Sequence, residues 1–132
     1  MSINGQSQLE SLRIVKENET LRKGITNIAV EAWRLERLLH KLLQTLDIKE
    51  QQRYSSKLRW FVKSTYSSLE EAGLKIVDYD GHLYDSGIPV TPINIDDFSE
   101  NDVLYINQMI EPVIIDANGG VVHTGTVSLQ KR

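Results

Sequence analysis

The residues with the most potential for chemistry surround His82, which follows a turn signal at Asp80-Gly81. Two further carboxylates, Asp78 and Asp85, flank this turn. Imidazole nitrogen and carboxylate oxygen can together bind a divalent metal ion. The spacing matches no known metal-binding loop, however, and Asp residues beside a glycine usually form turns. The turn interpretation is favoured, and no metal ligand is predicted.

Nucleophilic catalysis is not predicted either. Ser64, Ser67 and Ser68 lie in a helical pattern without a G-x-S-x-G elbow or a convincing base. The chain has no Cys, which excludes a thiolate nucleophile, a Cys-based zinc site and a disulfide framework. It also lacks the G-x-x-x-x-G-K-[ST] pattern of a P-loop. The sequence predicts neither catalytic residues nor a cofactor, so we expect a protein that is not an enzyme.

The strongest pattern in the first third of the chain is a heptad repeat, in which apolar residues alternate at spacings of four and three. This repeat is typical of a coiled-coil seam. A single Asn among apolar a positions can fix register and oligomeric state, although a seam that frays before Asn18 would leave it solvated. We predict a parallel homodimer with these interface residues: Ile14, Asn18, Leu21, Ile25, Ile28, Ala32, Leu35, Leu39, Leu42 and Leu46.

Other side chains of this helix lie outside the seam. Trp33 falls at a b position, which makes it either a packing residue or a contact for a partner or the adjoining helix. A solvated face is predicted for the charged residues Arg34, Arg37, Lys41, Glu31 and Glu36.

A second helix is predicted after a break at Asp47. The apolar stripe widens in the leucine-rich segment 38–46, which favours a four-helix bundle over a simple zipper. Asp47 and Glu50 form a D-x-x-E arrangement that resembles a capping box. The helix should run over about 48–72, and Gly73 stands where a positive φ often ends a helix.

The hydrophobic period changes to that of strands after the second helix. We predict a first hairpin at Asp80-Gly81, a proline-containing loop or sheet edge over 87–101, and a hairpin at Asn118-Gly119. The predicted fold class is α+β, with a long coiled-coil helix and a helical bundle segment followed by a small antiparallel β domain. The corresponding boundaries are 1–46, 47–73 and 74–132.

The charges divide at the same point. Residues 1–73 carry 12 Lys and Arg against 9 Asp and Glu, a net charge of +3, whereas residues 74–132 carry 3 against 9, a net charge of −6. An acidic second half argues against a nucleic-acid partner and suits a basic docking surface or a solvated surface. No apolar run approaches the roughly 20 residues that span a bilayer, so no membrane association and a cytoplasmic location are expected.

Local phrases in the same order resemble one known family. Residues 42–47 read L-L-Q-T-L-D, similar to the family's L-L-x-V-L-D between its bundle helices. Residues 69–74 and 81–85 are similar to L-x-x-x-G-V and G-x-x-F-D-P, and residues 118–129 to the closing strand pair N-G-R-V-I-R-P-A-x-V-x-V. Over nearly its whole length the chain resembles GrpE, the nucleotide exchange factor of DnaK-type chaperones.

The resemblance implies a stress-response chaperone partner rather than an enzyme activity. In the family, the β domain holds open the nucleotide-binding cleft of the chaperone, so that ADP leaves. The implied partner-binding residues are Asn118, Gly119, Gly120, Val121 and His123. Gly120 and His123 stand where the family usually has Arg, which removes two strong charge-assisted donors. The alternative is a dimeric coiled-coil adaptor of GrpE-like architecture that binds another protein without exchange activity.

Overall fold

Helix α1, Ser2–Gln44, begins the chain. The computed structural model describes the backbone of residues 2–132 and the side chains of residues 5–132, so Met1, the first residue of the predicted coiled-coil segment, lies outside the described residues. The helix is about 65 Å long at about 1.5 Å per residue. Every side chain from residue 5 to residue 25 is exposed, so this half of α1 buries no side chain against the other described residues, although Arg22 reaches Asp116 of the β domain.

Helix α2, Ile48–Glu71, follows after a short connection. The side chain of Asp47 accepts a hydrogen bond from the backbone N–H of Glu50 at 2.9 Å, the contact expected of the predicted cap. Gly73 has a φ of +76°, a left-handed conformation that glycine adopts at low cost. Both predicted ends of the second helix are confirmed to within a residue. Among the described residues, no helix combines the length and the apolar character needed to cross a membrane.

The β domain, residues 74–132, contains six short strands in two three-stranded sheets. The strands are β1 Leu74–Val77, β2 Val90–Pro92, β3 Leu104–Glu111, β4 Val113–Asp116, β5 Val121–His123 and β6 Gly125–Lys131. One sheet has the order β1-β4-β5 and the other has the order β2-β6-β3. A 3-10 helix, Ile95–Asp97, lies between β2 and β3. The α+β class is confirmed.

The prediction that the β domain is antiparallel throughout is wrong at β2. This strand runs parallel to β6, with Val90 opposite Gly125 and Pro92 opposite Val127. The long connection over residues 78–89 allows β2 to enter the sheet in the direction of β6, which a local sequence pattern does not specify. Because β2 is an edge strand, Pro92 costs no ladder hydrogen bond on its outer side.

The predicted first hairpin is also wrong, although its turn forms. Gly81 has a φ of +80°, and the backbone N–H of His82 donates to the carbonyl oxygen of Tyr79 at 3.0 Å. The residues before the turn instead pair with β4, from Leu74 opposite Asp116 to Val77 opposite Val113. The residues after the turn instead lie beside β3 and form backbone hydrogen bonds with it. A local turn signal fixed the bend but not the partner of either strand.

The core explains how α1 and the β domain are joined. Trp33 is 5% exposed and packs in one cluster with six buried β-domain residues: Leu104, Ile106, Met109, Val113, Val127 and Leu129. Ala29 and Val30 pack in a second cluster with Leu69 of α2 and Ile114 of β4. The interpretation of Trp33 as a packing residue is confirmed. Its contacts make one face of α1 the platform of the β domain.

The predicted seam lies on another face of α1 and is largely uncovered by the rest of the chain. Ile28 is 70% exposed, and Leu21, Leu35 and Leu42 are also exposed. Ala32 and Leu39 are half-buried. An apolar face of this size is unusual on a protein that acts as a monomer. The coiled coil itself stays a prediction.

Candidate protein-binding surfaces

Three arginines of α1 hold the β domain beside the Trp33 platform. Arg34 pairs with Glu111, and Arg22 lies 3.9 Å from Asp116. Arg37 donates to the Oδ2 atom of Asp80 at 2.8 Å and lies over the Trp33 ring at 4.3 Å from its centroid. We call these ion pairs and the Trp33 contacts the joint. Because its contacts extend along α1 for about four turns, the joint fixes the orientation of the β domain.

The joint corrects the prediction of a purely solvated arginine face. Arg34 does donate to Glu31 at 2.8 Å, as that prediction requires. The same guanidinium also binds Glu111, and Arg37 binds Asp80 rather than a carboxylate of its own helix. A planar guanidinium has five donors, so one Arg can satisfy carboxylates on two elements.

The carboxylates near His82 serve the turn and the joint. Asp80 accepts a hydrogen bond from the backbone N–H of Met109 at 2.7 Å, in addition to its pairing with Arg37. Asp78 accepts from the backbone N–H of Asp80 at 2.8 Å, and Asp85 from that of Gly87 at 2.6 Å. In the described part of the chain, no group of three His, Asp or Glu side chains is arranged to hold a metal ion.

A hydrogen bond from Tyr66 links α2 to α1. Its hydroxyl donates to the Oε2 atom of Glu36 at 3.1 Å. Burial, followed by the negative charge of Glu36, raises the pKa of Tyr66 from 10.0 to about 12. The unfolded chain therefore loses this proton first as the pH rises, so the linked stability is present below pH 10.0 and is lost toward pH 12.

We expect the substitution Tyr66→Phe to flatten this alkaline loss of stability. Urea unfolding at about pH 9 and about pH 11 should show a larger drop in the free energy of unfolding for the wild type than for the variant. The difference should be small, because Tyr66 is partly exposed and solvent screens its charge. Glu36→Gln should lower the pKa of Tyr66 in a spectroscopic titration. An unchanged titration curve would show that Glu36 does not contribute.

The hairpin between β4 and β5 displays four of the five implied partner-binding residues at an exposed tip. Gly119 has a φ of +82°, and the Asp116 carboxylate accepts hydrogen bonds from the backbone N–H groups of Asn118 and Gly120 at 2.9 and 2.8 Å. The tip residues, Asn118 to Val121, are all exposed. A Cβ atom at Gly120 would lie 2.8 Å from the Asp116 Oδ2 atom, so substitution there would disturb the turn as well as the surface. Val121 is therefore the better position at which to test the surface.

His123, the fifth implied residue, faces the joint rather than the tip. Its Nδ1 atom lies 2.8 Å from the carbonyl oxygen of Pro112, and its Nε2 atom lies 3.5 Å from the Oε2 atom of Glu111. The side chain is 24% exposed. Because Glu111 also binds Arg34, His123 lies beside one of the ion pairs that hold the β domain on α1. Its role in partner contact stays a prediction.

A groove between α1 and α2 contains the leucine-rich end of the predicted interface. This α1/α2 groove has a volume of about 530 Å³. Four seam residues lie in its wall: Leu35, Leu39, Leu42 and Leu46. From α2, Tyr54, Leu58 and Phe61 complete it. The structure therefore brings the C-terminal part of the seam together with α2, whereas Ile14 and Asn18 are exposed on the N-terminal half of α1.

Sequence reasoning missed the second stripe of α1. Arg22, Ala29, Trp33 and Arg37 follow one another at spacings of seven, four and four. Such spacings place residues on one face of a helix. The signal was present, but it mixes charged and aromatic residues and is weaker than the leucine repeat beside it.

Comparison with known proteins gives no relative. No family model matches the chain, and neither the curated proteins nor the solved structures contain a significant match to it.

Proposed function

We propose that the protein is a dimeric, GrpE-like nucleotide exchange factor that promotes ADP release from a DnaK-type chaperone or a chaperone-like ATPase. The observation that carries the proposal is that α1 has two different faces, of which only one is occupied by the β domain. One face holds the β domain through the joint, while the seam and the α1/α2 groove are left uncovered. A helix of this kind can bind a second copy of the chain and still present the β domain to another protein.

The uncovered apolar surface supports the dimer. Burying one Leu side chain contributes about 1.5–3 kcal/mol, so the leucines of the seam and the groove together represent a large favourable term. Pairing two α1/α2 grooves would form a four-helix bundle, in which wide apolar stripes pack against more than one neighbour. A simple zipper would cover the seam but leave Tyr54 and Phe61 of α2 without a partner.

The joint supports the use of the β domain as a wedge. A domain held by a buried Trp and by ion pairs on α1 can transmit force from a bound partner without folding back on its helix. An exchange factor works by binding the open form of its partner's cleft better than the closed form. A difference of about 3 kcal/mol between the two affinities changes the ratio of the two forms more than a hundredfold.

One observation favours the adaptor as the second candidate. The exposed tip carries no cationic side chain, and the only imidazole near it, that of His123, is engaged with Glu111 and Pro112. The family that the chain resembles usually has Arg at two of these positions. A tip without those donors suits a different partner, which the dimer could link to itself without any exchange of nucleotide.

The two candidates are separated by stopped-flow release of a fluorescent ADP analogue from the chaperone ATPase of the source cell. We expect the wild-type dimer to accelerate release. Val121→Asp should reduce the acceleration by about tenfold, because it places a charge at the centre of the proposed contact. Ile93→Asp is the matched control, since Ile93 is an exposed apolar residue of the β domain outside the tip.

Three outcomes distinguish the exchange factor from the adaptor. Acceleration that Val121→Asp reduces about tenfold and Ile93→Asp preserves supports exchange through the hairpin. Equal losses in both variants would mean that the tip is not the contact. No acceleration by the wild type, combined with recovery of a different protein in a pull-down, would replace the exchange factor with the adaptor.

A further inference from the structure

The β domain carries a second groove, distinct from the hairpin tip and from the α1/α2 groove. It lies where the residues after Gly81 meet the segment from Ile95 to Leu104, and its volume is about 650 Å³. Leu83 and Val103 in its wall are 52% and 56% exposed, and Ile95 is exposed beside them. These three side chains give the concave wall an apolar part, which none of the described residues covers. We call it the acidic groove, because of its charge.

The charged residues that line the acidic groove are all acidic. Its four charged residues are Asp85, Asp96, Glu100 and Asp102. From residue 76 to residue 130 the chain has no Lys or Arg at all, although it has nine Asp and Glu. Lys131 lies 3.7 Å from Asp102, but no cation of the described residues pairs with Asp96 or Glu100. The acids of the joint differ, because the arginines of α1 neutralise them.

The charge of the groove restricts what can occupy it. Nucleic acid and anionic lipid surfaces would be repelled, since their phosphates carry the same sign. A single metal ion does not fit, because among residues 5–132 no three acidic or His side chains converge on one point. A cationic group with an adjacent apolar side chain satisfies both the carboxylates and the exposed leucine and valine.

We infer that the acidic groove binds a segment of a partner protein in which Lys or Arg residues flank an apolar side chain. The apolar side chain would cover Leu83 and Val103, and the cations would lie beside Asp96 and Glu100. Apolar burial in such a contact supplies most of the affinity, whereas the charges speed association and exclude acidic partners. The inference goes beyond the proposed exchange function and stands whether or not that function is retained.

The test uses the full chain and a short fluorescent peptide in which Lys and Leu alternate. Fluorescence anisotropy should show saturable binding that weakens as salt is added, because exposed charges are screened. A peptide with Glu in place of Lys should not bind. A peptide with Ser in place of Leu should bind at least about fivefold more weakly, because it lacks the apolar side chains.

Charge reversal locates the binding site. Asp96→Lys combined with Glu100→Lys should weaken binding of the Lys-Leu peptide about tenfold or more. Glu70→Lys combined with Glu71→Lys is the matched control, because these are exposed acids at the end of α2. The control should change binding less than about twofold, since it alters net charge by the same amount but at residues that do not line the acidic groove. Far-ultraviolet circular dichroism checks that both variants are folded.

Removal of the apolar wall gives an independent readout. Leu83→Ser combined with Val103→Ser should weaken binding of the Lys-Leu peptide. The same variant should leave binding of the Lys-Ser peptide unchanged. Equal effects of the two charge reversals would overturn the inference, because they would indicate attraction to net charge alone. Loss of self-association in the Asp96 and Glu100 variant would also overturn it, since the occupant would then be a second copy of this chain.

Discussion

The double variant Leu35→Ala and Leu42→Ala is expected to be monomeric or unfolded, whereas the wild type is expected to sediment as a dimer. Both leucines belong to the predicted seam and line the α1/α2 groove, yet both are exposed in the single chain. In a dimer they would be buried. Each Leu→Ala change in a packed interior costs about 2–5 kcal/mol, which is enough to dissociate a dimer of moderate affinity.

The matched control for this experiment is Leu9→Ala combined with Leu12→Ala. These residues are also exposed leucines of α1, but they lie off the seam. The control should sediment as the wild type does. A wild-type chain that is monomeric at micromolar concentration would contradict the dimer, and with it the proposed presentation of two β domains.

Two further variants separate the seam from the groove. Ile14→Ala with Leu21→Ala changes seam residues only, because both are exposed and lie N-terminal to the α1 residues that line the grooves against α2. Phe61→Ala changes only the groove. Dissociation by the first variant indicates a coiled coil along α1, and dissociation by Phe61→Ala alone indicates a bundle limited to the leucine-rich end.

The largest effect on the stability of the chain itself is expected for Trp33→Ala. Trp33 is 5% exposed and packs against buried residues of β3, β4 and β6 at the joint. Removal of a buried Trp costs about 3–5 kcal/mol, through lost apolar contacts and the cavity left behind. Because a domain of this size has a total stability of about 5–15 kcal/mol, the variant should lose a large part of it. Urea denaturation followed by far-ultraviolet circular dichroism measures the loss.

The second tryptophan supplies the control. Trp60 lies on α2 and is 72% exposed. Trp60→Ala should change the free energy of unfolding by no more than about 0.5 kcal/mol. In a Trp60→Phe background, the emission of Trp33 should be that of a buried indole and should shift to the red on unfolding. Similar destabilisation by the two alanine variants would show that Trp33 is not the anchor of the β domain.

The seam variants and the Trp33 variant test two different sets of contacts. The seam variants act on association, and Trp33→Ala acts on the attachment of the β domain within one chain. A protein that dimerises but loses its β-domain attachment would retain the bundle and lose partner contact. The combination therefore distinguishes a failure of the proposed architecture from a failure of the proposed function.

The features that the sequence predicted are those that depend on neighbouring residues. The start of α2 follows from the reach of the Asp47 carboxylate to the backbone N–H of Glu50, three residues away. Its end follows from the tolerance of Gly73 for a positive φ. The hairpin at Gly119 rests on the same freedom. The α+β class followed from the change of period between such points. In each case the interactions that select the structure are made between residues close together in the sequence.

Tertiary structure decided which surfaces meet. The turn at Gly81 formed as predicted, but β1 paired with β4, about 40 residues away, because that pairing buries Leu74 and Ile114 in the core with α2. Strand direction at β2 and the platform around Trp33 depended in the same way on distant partners. The heptad pattern alone was enough to predict that one face of α1 is apolar. Only the packed chain revealed that the β domain occupies a different face and that the apolar face stays largely exposed in the single chain.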